Sequence, residues 1–108
     1  MLKKFPFYKQ PDSKDCGPTC LKIIAKHYGK TLNIQTLRSL SETTREGSNL
    51  LTLSDAAEKI GFRTLGVKLS IKKLEEAPTP CILHWNNNHY VVLYKVKKNK
   101  FYVSDPAH

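Results

Sequence analysis

The apolar residues of this chain change period once, near Phe62, and that single change limits the folds open to it. Before it, apolar positions recur at helical spacing. Leu21, Ile23, Ile24 and Tyr28 predict a helix over about Cys16 to Tyr28, stopped by Gly29. Asn33 can cap a second helix carrying Ile34, Leu37 and Leu40. A polar loop, Ser41 to Ser48 with Gly47, then leads to a third helix bearing Leu50, Leu51, Leu53, Ala56, Ala57 and Ile60, with Gly61 as its C-terminal cap. After the change, Phe62 to Val67 reads as a short strand, and Ser70 caps one helical turn through Leu74 before Pro78 and Pro80. Three strands follow, Cys81 to Trp85, His89 to Val96 and Lys100 to Ser104, with turns at Asn86-Asn87-Asn88 and at Lys98-Asn99. Helices first and an antiparallel meander afterwards specify an α+β domain and exclude a βαβ repeat.

At 108 residues there is room for one domain with one modest core. Eighteen Lys and Arg against nine Asp and Glu leave a formal charge of +9, which suits an anionic partner without choosing one. The lysines are spread along the chain, apart from a cluster at Lys95, Lys97, Lys98 and Lys100. No RNA-binding or helix-turn-helix signature accompanies them, so no nucleic-acid partner is expected. Met1-Leu-Lys-Lys begins like a signal peptide, but Pro6, Tyr8, Lys9 and Gln10 stand where an apolar stretch would have to follow. No apolar run approaches the ~18 residues of a membrane span, so a soluble, cytosolic domain is expected. Three cysteines without an export signal argue against a disulfide framework.

The chemistry concentrates in Gln10-Pro-Asp-Ser-Lys-Asp-Cys16-Gly-Pro-Thr-Cys20. Pro11, Asp12, Ser13 and Asp15 are turn and cap formers, which puts Cys16 at the first turn of the first helix. Unpaired N–H groups and the positive end of the helix dipole favour an anion there, and the thiolate is the nucleophilic form of cysteine. Such a nucleophile also needs a base, a group to orient the base, and donors for the oxyanion. His89 and Asp105 are candidates for the first two, and Gln10 for a donor. Taken singly, His89 is an exposed strand end and Asp105 a turn former. A hairpin about Lys98-Asn99 would bring both to one end of the ladder, where the carboxylate can hold the imidazole. Cys20, among Leu21, Ile23 and Ile24, and Cys81, before Ile82 and Leu83, read as packing residues.

Two other motifs carry weaker signals. Cys16-x3-Cys20 and His84-x4-His89 have spacings found at structural zinc sites, but the stretch between them is far too long for a compact finger. Gly29-Lys30-Thr31 mimics the end of a P-loop, yet Ile24 stands at the required first glycine and a helix precedes it. No metal or other cofactor is therefore expected.

The segment from Gln10 to Cys20 with DCGPTC, followed by PCILHW, NHYVVL and DPA, resembles the bacteriocin-processing, double-glycine leader peptidase domain found at the N-terminus of bacterial ABC exporters. The likeness runs through nearly the whole chain. It implies a papain-like fold in which Cys16 is the nucleophile, His89 the general base and acid, Asp105 the orienting carboxylate and Gln10 an oxyanion-hole donor. It implies a cysteine endopeptidase that cleaves leader peptides from secreted precursors after Gly-Gly or Gly-Ala, at the cytoplasmic face of the bacterial inner membrane. The implied partners are the precursor and the membrane-spanning and nucleotide-binding domains of an exporter. Such exporters continue beyond the DPA motif, so the chain is expected to be an exporter's N-terminal domain or a stand-alone peptidase. Degenerate relatives only bind the leader, and a non-cleaving module is the alternative; the presence of Cys16 favours cleavage. The leader's amphipathic helix needs a groove, for which Leu50, Leu51 and Leu53 on the third helix are the candidate wall.

Overall fold

A computed structural model of the protein describes residues 4–85 and 89–108. A 3-10 turn, Ser13–Asp15, runs directly into α1 (Cys16–His27), followed by α2 (Ile34–Leu40), α3 (Leu50–Lys59) and the single turn α4 (Ile71–Leu74). Each helix start after α1 carries a side-chain cap, at Asn33 and Ser70 as expected and at Asn49 in addition. Asn33 Oδ1 accepts from the Gln35 N–H at 2.7 Å, and Ser70 Oγ accepts from the Lys73 N–H at 3.2 Å. Asn49 and Thr52 form a reciprocal capping box on α3.

The helices are followed by one antiparallel sheet in the order β1 (Cys81–Trp85), β2 (His89–Lys97), β3 (Lys100–Ser104). Cys81 pairs with Leu93 and Trp85 with His89 across β1 and β2, while Val92 pairs with Ser104 across β2 and β3. The β2–β3 turn holds Lys98 and Asn99 at φ of 51° and 64°, the left-handed pair of a two-residue hairpin. The expected Asn86-Asn87-Asn88 turn lies outside the described residues.

Alternation along β2 gives the sheet two faces. Tyr90 and Val92 join Cys20, Leu21 and Ile23 of α1 and Leu37, Leu53, Ala56 and Ala57 of α2 and α3 in one core, with Phe62 and Ile82 packed at its margin. On the other face, Val91 lies with Leu83, Trp85, Phe101 and Val103 beside Ile71 and Leu74 of α4. Helix α1 is thus the central element, with α2 and α3 on one side and the sheet on the other.

The segment Phe62 to Val67, expected as a strand, pairs with no described strand. Its alternation is real but serves a helix. Phe62 packs on the core, and Thr64 Oγ1 donates to Glu58 Oε2 of α3 at 2.7 Å, whereas Leu65 is 85% exposed and Val67 also faces solvent. A period of two therefore marked a segment laid along α3.

Candidate active site

Cys16 opens α1 and is 5% exposed. Two following residues allow the chain to turn there in a crowded place. A Cβ on Gly17 would lie 2.9 Å from Leu53 Cδ2 and 3.3 Å from Ser48 Cβ, so only glycine lets α3 and its lead-in approach this closely. Pro18 lacks an N–H at a position where the helix has no acceptor for one. Asp15, expected as a cap, does not cap α1; its carboxylate takes Arg38 Nε and Nη2 at 2.7 and 2.6 Å.

His89 begins β2 and Asp105 follows β3, and their side chains meet: Nε2 and Oδ1 are 2.6 Å apart. The Ala107 N–H donates to the same Oδ1 at 2.9 Å, so the Asp-Pro-Ala turn sets the carboxylate and the carboxylate sets the ring. With Nε2 directed at Asp105, Nδ1 is the nitrogen that can exchange a proton elsewhere. Cys16 lies on the same corner of the molecule. The backbone N–H of Tyr90, the residue after His89, points at its sulfur, and the sulfur feels the charge of Asp105.

Burial raises the Cys16 thiol above its ordinary value, and the N–H groups of Tyr90, Gly17 and Cys16 itself oppose that rise without cancelling it. The helix start favours the thiolate as its position suggested, but burial outweighs it. Cys20 is fully buried and pushed well higher by burial, and half-buried Cys81 is raised for the same reason. A thiolate on Cys16 near neutrality would therefore need a base beside it.

Gln10 joins the site through its backbone, whose N–H donates to the Pro106 carbonyl at 2.9 Å, one residue from Asp105. Its Nε2 donates to the Asp12 carbonyl at 2.9 Å, which engages one of its two N–H groups, and its Oε1 is buried with no partner among the described residues. Three residues of the zinc-like spacing lie in other contacts. Cys20 is in the core, His84 stacks on Tyr90 with ring centroids 4.8 Å apart, and His89 binds Asp105. Of the leader-groove residues, Leu53 belongs to the core: at 3% exposure it packs against Gly17, which removes it from any groove. Leu50 and Leu51 are exposed on α3. Asp15 with Arg38 and the Tyr90 N–H were missed, since they are joined only by the tertiary fold.

The peptidase C39 family matches residues 4–108, all but three residues of the chain. The chain belongs to that family. The C39 peptidases are cysteine peptidases. The chain is 35% identical over 105 residues to the colicin V secretion/processing ATP-binding protein CvaB of Escherichia coli, covering 97% of this chain and 15% of that protein. It is 39% identical over 104 residues to the lactococcin-G-processing and transport ATP-binding protein LagD of Lactococcus lactis subsp. lactis, covering 91% and 15%. It therefore spans about 15% of the length of these relatives. Among solved structures it is similar to a double glycine motif protease from an AMS/PCAT transporter in complex with the leader peptide, with a TM-score of 0.91 and 34% identity over 96% of this chain and 75% of that one. No helix among the described residues is long and apolar enough to cross a membrane.

Proposed function

We propose that this C39 domain is an endopeptidase that cuts leader peptides from secreted precursors after a Gly-Gly or Gly-Ala pair, in the service of an ABC exporter. The observation that carries the reading is the His89–Asp105 contact of 2.6 Å at the corner where Cys16 opens α1. In the proposed reaction His89 Nδ1 takes the Cys16 proton as the sulfur attacks the scissile carbonyl, and Asp105 stabilises the imidazolium. Collapse of the tetrahedral intermediate expels the amine, which takes the proton from His89 and leaves a thioester on Cys16. Water, deprotonated by His89, then attacks the thioester and releases the leader's carboxylate and the thiol. The Cys16 backbone N–H and the second Nε2 hydrogen of Gln10 are the proposed oxyanion donors.

The leader helix is proposed to dock on the outer face of the sheet. An apolar groove of about 300 Å³ runs along the outer sheet face between α4 and β3, lined by Ile71, Trp85, Val91, Phe101 and Val103, and it ends at Asp105. An amphipathic helix laid there would deliver its C-terminal residues to Cys16. This groove fits better than the exposed Leu50 and Leu51, because it reaches the triad. The partners are then the precursor and the exporter's membrane-spanning and nucleotide-binding domains, with cleavage at the cytoplasmic face of the membrane.

The test is incubation with synthetic double-glycine precursors and mass spectrometry of the products. Cleavage after the second glycine, abolished in Cys16→Ala, is expected. Binding of the precursor without any cleavage would make the domain a docking module.

A further inference from the structure

A charged pair beside Cys16 has no part in the chemistry above. Asp15 is fully buried, immediately precedes Cys16, and is gripped by both prongs of Arg38 from α2. Withdrawing a carboxylate from water costs several kcal/mol, and a buried ion pair seldom outperforms apolar residues of the same size for stability. What a two-pronged Arg–carboxylate contact does provide is a fixed plane and direction. Here it fixes the last backbone unit before the sulfur, with the Asp15 N–H already bound to the Asp12 carbonyl at 3.0 Å.

Arg38 also acts from its backbone. Its carbonyl accepts from the Thr43 N–H at 2.9 Å, and a line of hydroxyls then runs from Ser41 to Thr43 at 2.8 Å and from Thr43 to Ser48 at 2.6 Å. Ser48 is one of the groups that close over Gly17. One residue of α2 therefore braces the chain on both sides of Cys16.

We propose that the Asp15–Arg38 pair is a positioning device, which holds the Cys16 sulfur where His89 can take its proton. The inference rests on the reading of Cys16 as nucleophile and His89 as base. The charged or titratable groups on the sides of the sulfur are His89 and Tyr90 from β2, Asp105 after β3, Cys20 one turn along α1, and Asp15 with Arg38 from the helical side.

The decisive variant is Arg38→Lys, which keeps the charge and loses the two-pronged geometry. Its kcat on a double-glycine precursor is expected to fall at least about ten-fold with KM within about two-fold, because small misplacements of reacting groups cost rate rather than binding. A second measurement needs no substrate: the iodoacetamide rate of Cys16 at about pH 7 relative to about pH 10, a ratio that reports assistance by the imidazole. This ratio is expected to fall about five-fold in Arg38→Lys, while that of Cys81 stays constant. It decides on the positioning role even where the wild-type chain cuts no precursor, an outcome that would overturn only the proposed reaction. Wild-type kcat and an unchanged Cys16 ratio in Arg38→Lys would overturn the inference. The double variant Asp15→Asn/Arg38→Gln serves as a second test, expected to fold and to show the same lowered ratio. Unfolding of both variants would assign the pair to stability and overturn the positioning role as well.

Discussion

Cys16 sits where two influences on a thiol oppose each other, and the balance makes its neighbours necessary. Burial raises it, the surrounding N–H groups lower it, and the net direction is upward, so a thiolate near neutrality calls for a base, the role proposed for His89. Asp105 in turn holds the ring through Nε2 and is itself held by the Ala107 N–H. Asp105→Asn preserves the Ala107 contact and loses the charge opposite the imidazolium. Its turnover is expected to fall, but less than the roughly 10²–10⁴-fold loss expected for His89→Ala, as measured by kcat at saturating precursor. A fully active Asp105→Ala would reduce the aspartate to a turn former. The raised thiols also predict an alkaline weakness. Cys16, Cys20, Cys81 and Tyr90 all have their anionic forms disfavoured by burial. A group whose folded value is raised contributes stability below its unfolded value and loses it as pH climbs toward the folded one. The melting temperature should therefore hold up to the ordinary thiol value of 9.0 and fall above it. Cys20→Ala should lower the neutral melting temperature and flatten the alkaline decline, with little effect on turnover. An unchanged alkaline slope in that variant would remove Cys20 as a source of the effect.

Between elements, α3 approaches the start of α1 closely at Gly17. Gly17→Ala would place a methyl 2.9 Å from Leu53 Cδ2 and 3.3 Å from Ser48 Cβ, and Leu53 is itself a buried core residue. Overpacking of this kind exceeds the helix propensity that alanine gains, so a net loss of about 1 kcal/mol is expected in denaturant unfolding. A more stable variant would show that Leu53 can swing aside. The same contact explains how far the sequence could be read. Helical periods and caps located α1, α2 and α3, because those signals are local. The hairpin at Lys98-Asn99 was legible too, and with it the approach of His89 and Asp105, since a two-residue turn brings the far ends of both strands together; the register shift between Leu93 and Lys95 on the way was not legible. Leu53 was harder. Leu50, Leu51 and Leu53 lie within one turn of helix, and only the position of Gly17 against α3 decides which of them is covered. Asp15 was misread for a related reason: a helix-start aspartate is a cap by default, and its Arg38 partner lies 23 residues away. Phe62 to Val67 failed because alternation records two environments and not a neighbouring strand.

For the molecule as a whole, the main consequence of the architecture is that the sheet has a second apolar face. Its inner face is filled by α1, whereas α4 is one turn long and leaves a groove open along Trp85, Phe101 and Val103 toward Asp105. In the proposed function a Gly-Gly pair is a weak address, since it offers no side chain to grip, so most of the affinity for a precursor would come from its leader. Trp85 is the only tryptophan in the chain and is 52% exposed at this groove, which makes it a built-in reporter. A leader peptide that buries its apolar side in the groove should shift Trp85 emission to the blue with saturable dose dependence. Ile71→Ser and Val103→Ser should each weaken that binding and raise KM with kcat nearly unchanged. A buried apolar anchor is worth roughly 1.5–3 kcal/mol, or about ten-fold to a hundred-fold in affinity. Leu51→Ser, on the exposed side of α3, should leave both constants alone. The opposite pattern, with Leu51→Ser weakening the leader and Val103→Ser silent, would return the docking site to α3. A precursor stripped of its leader helix but cut as efficiently as the full one would show that neither surface carries the recognition.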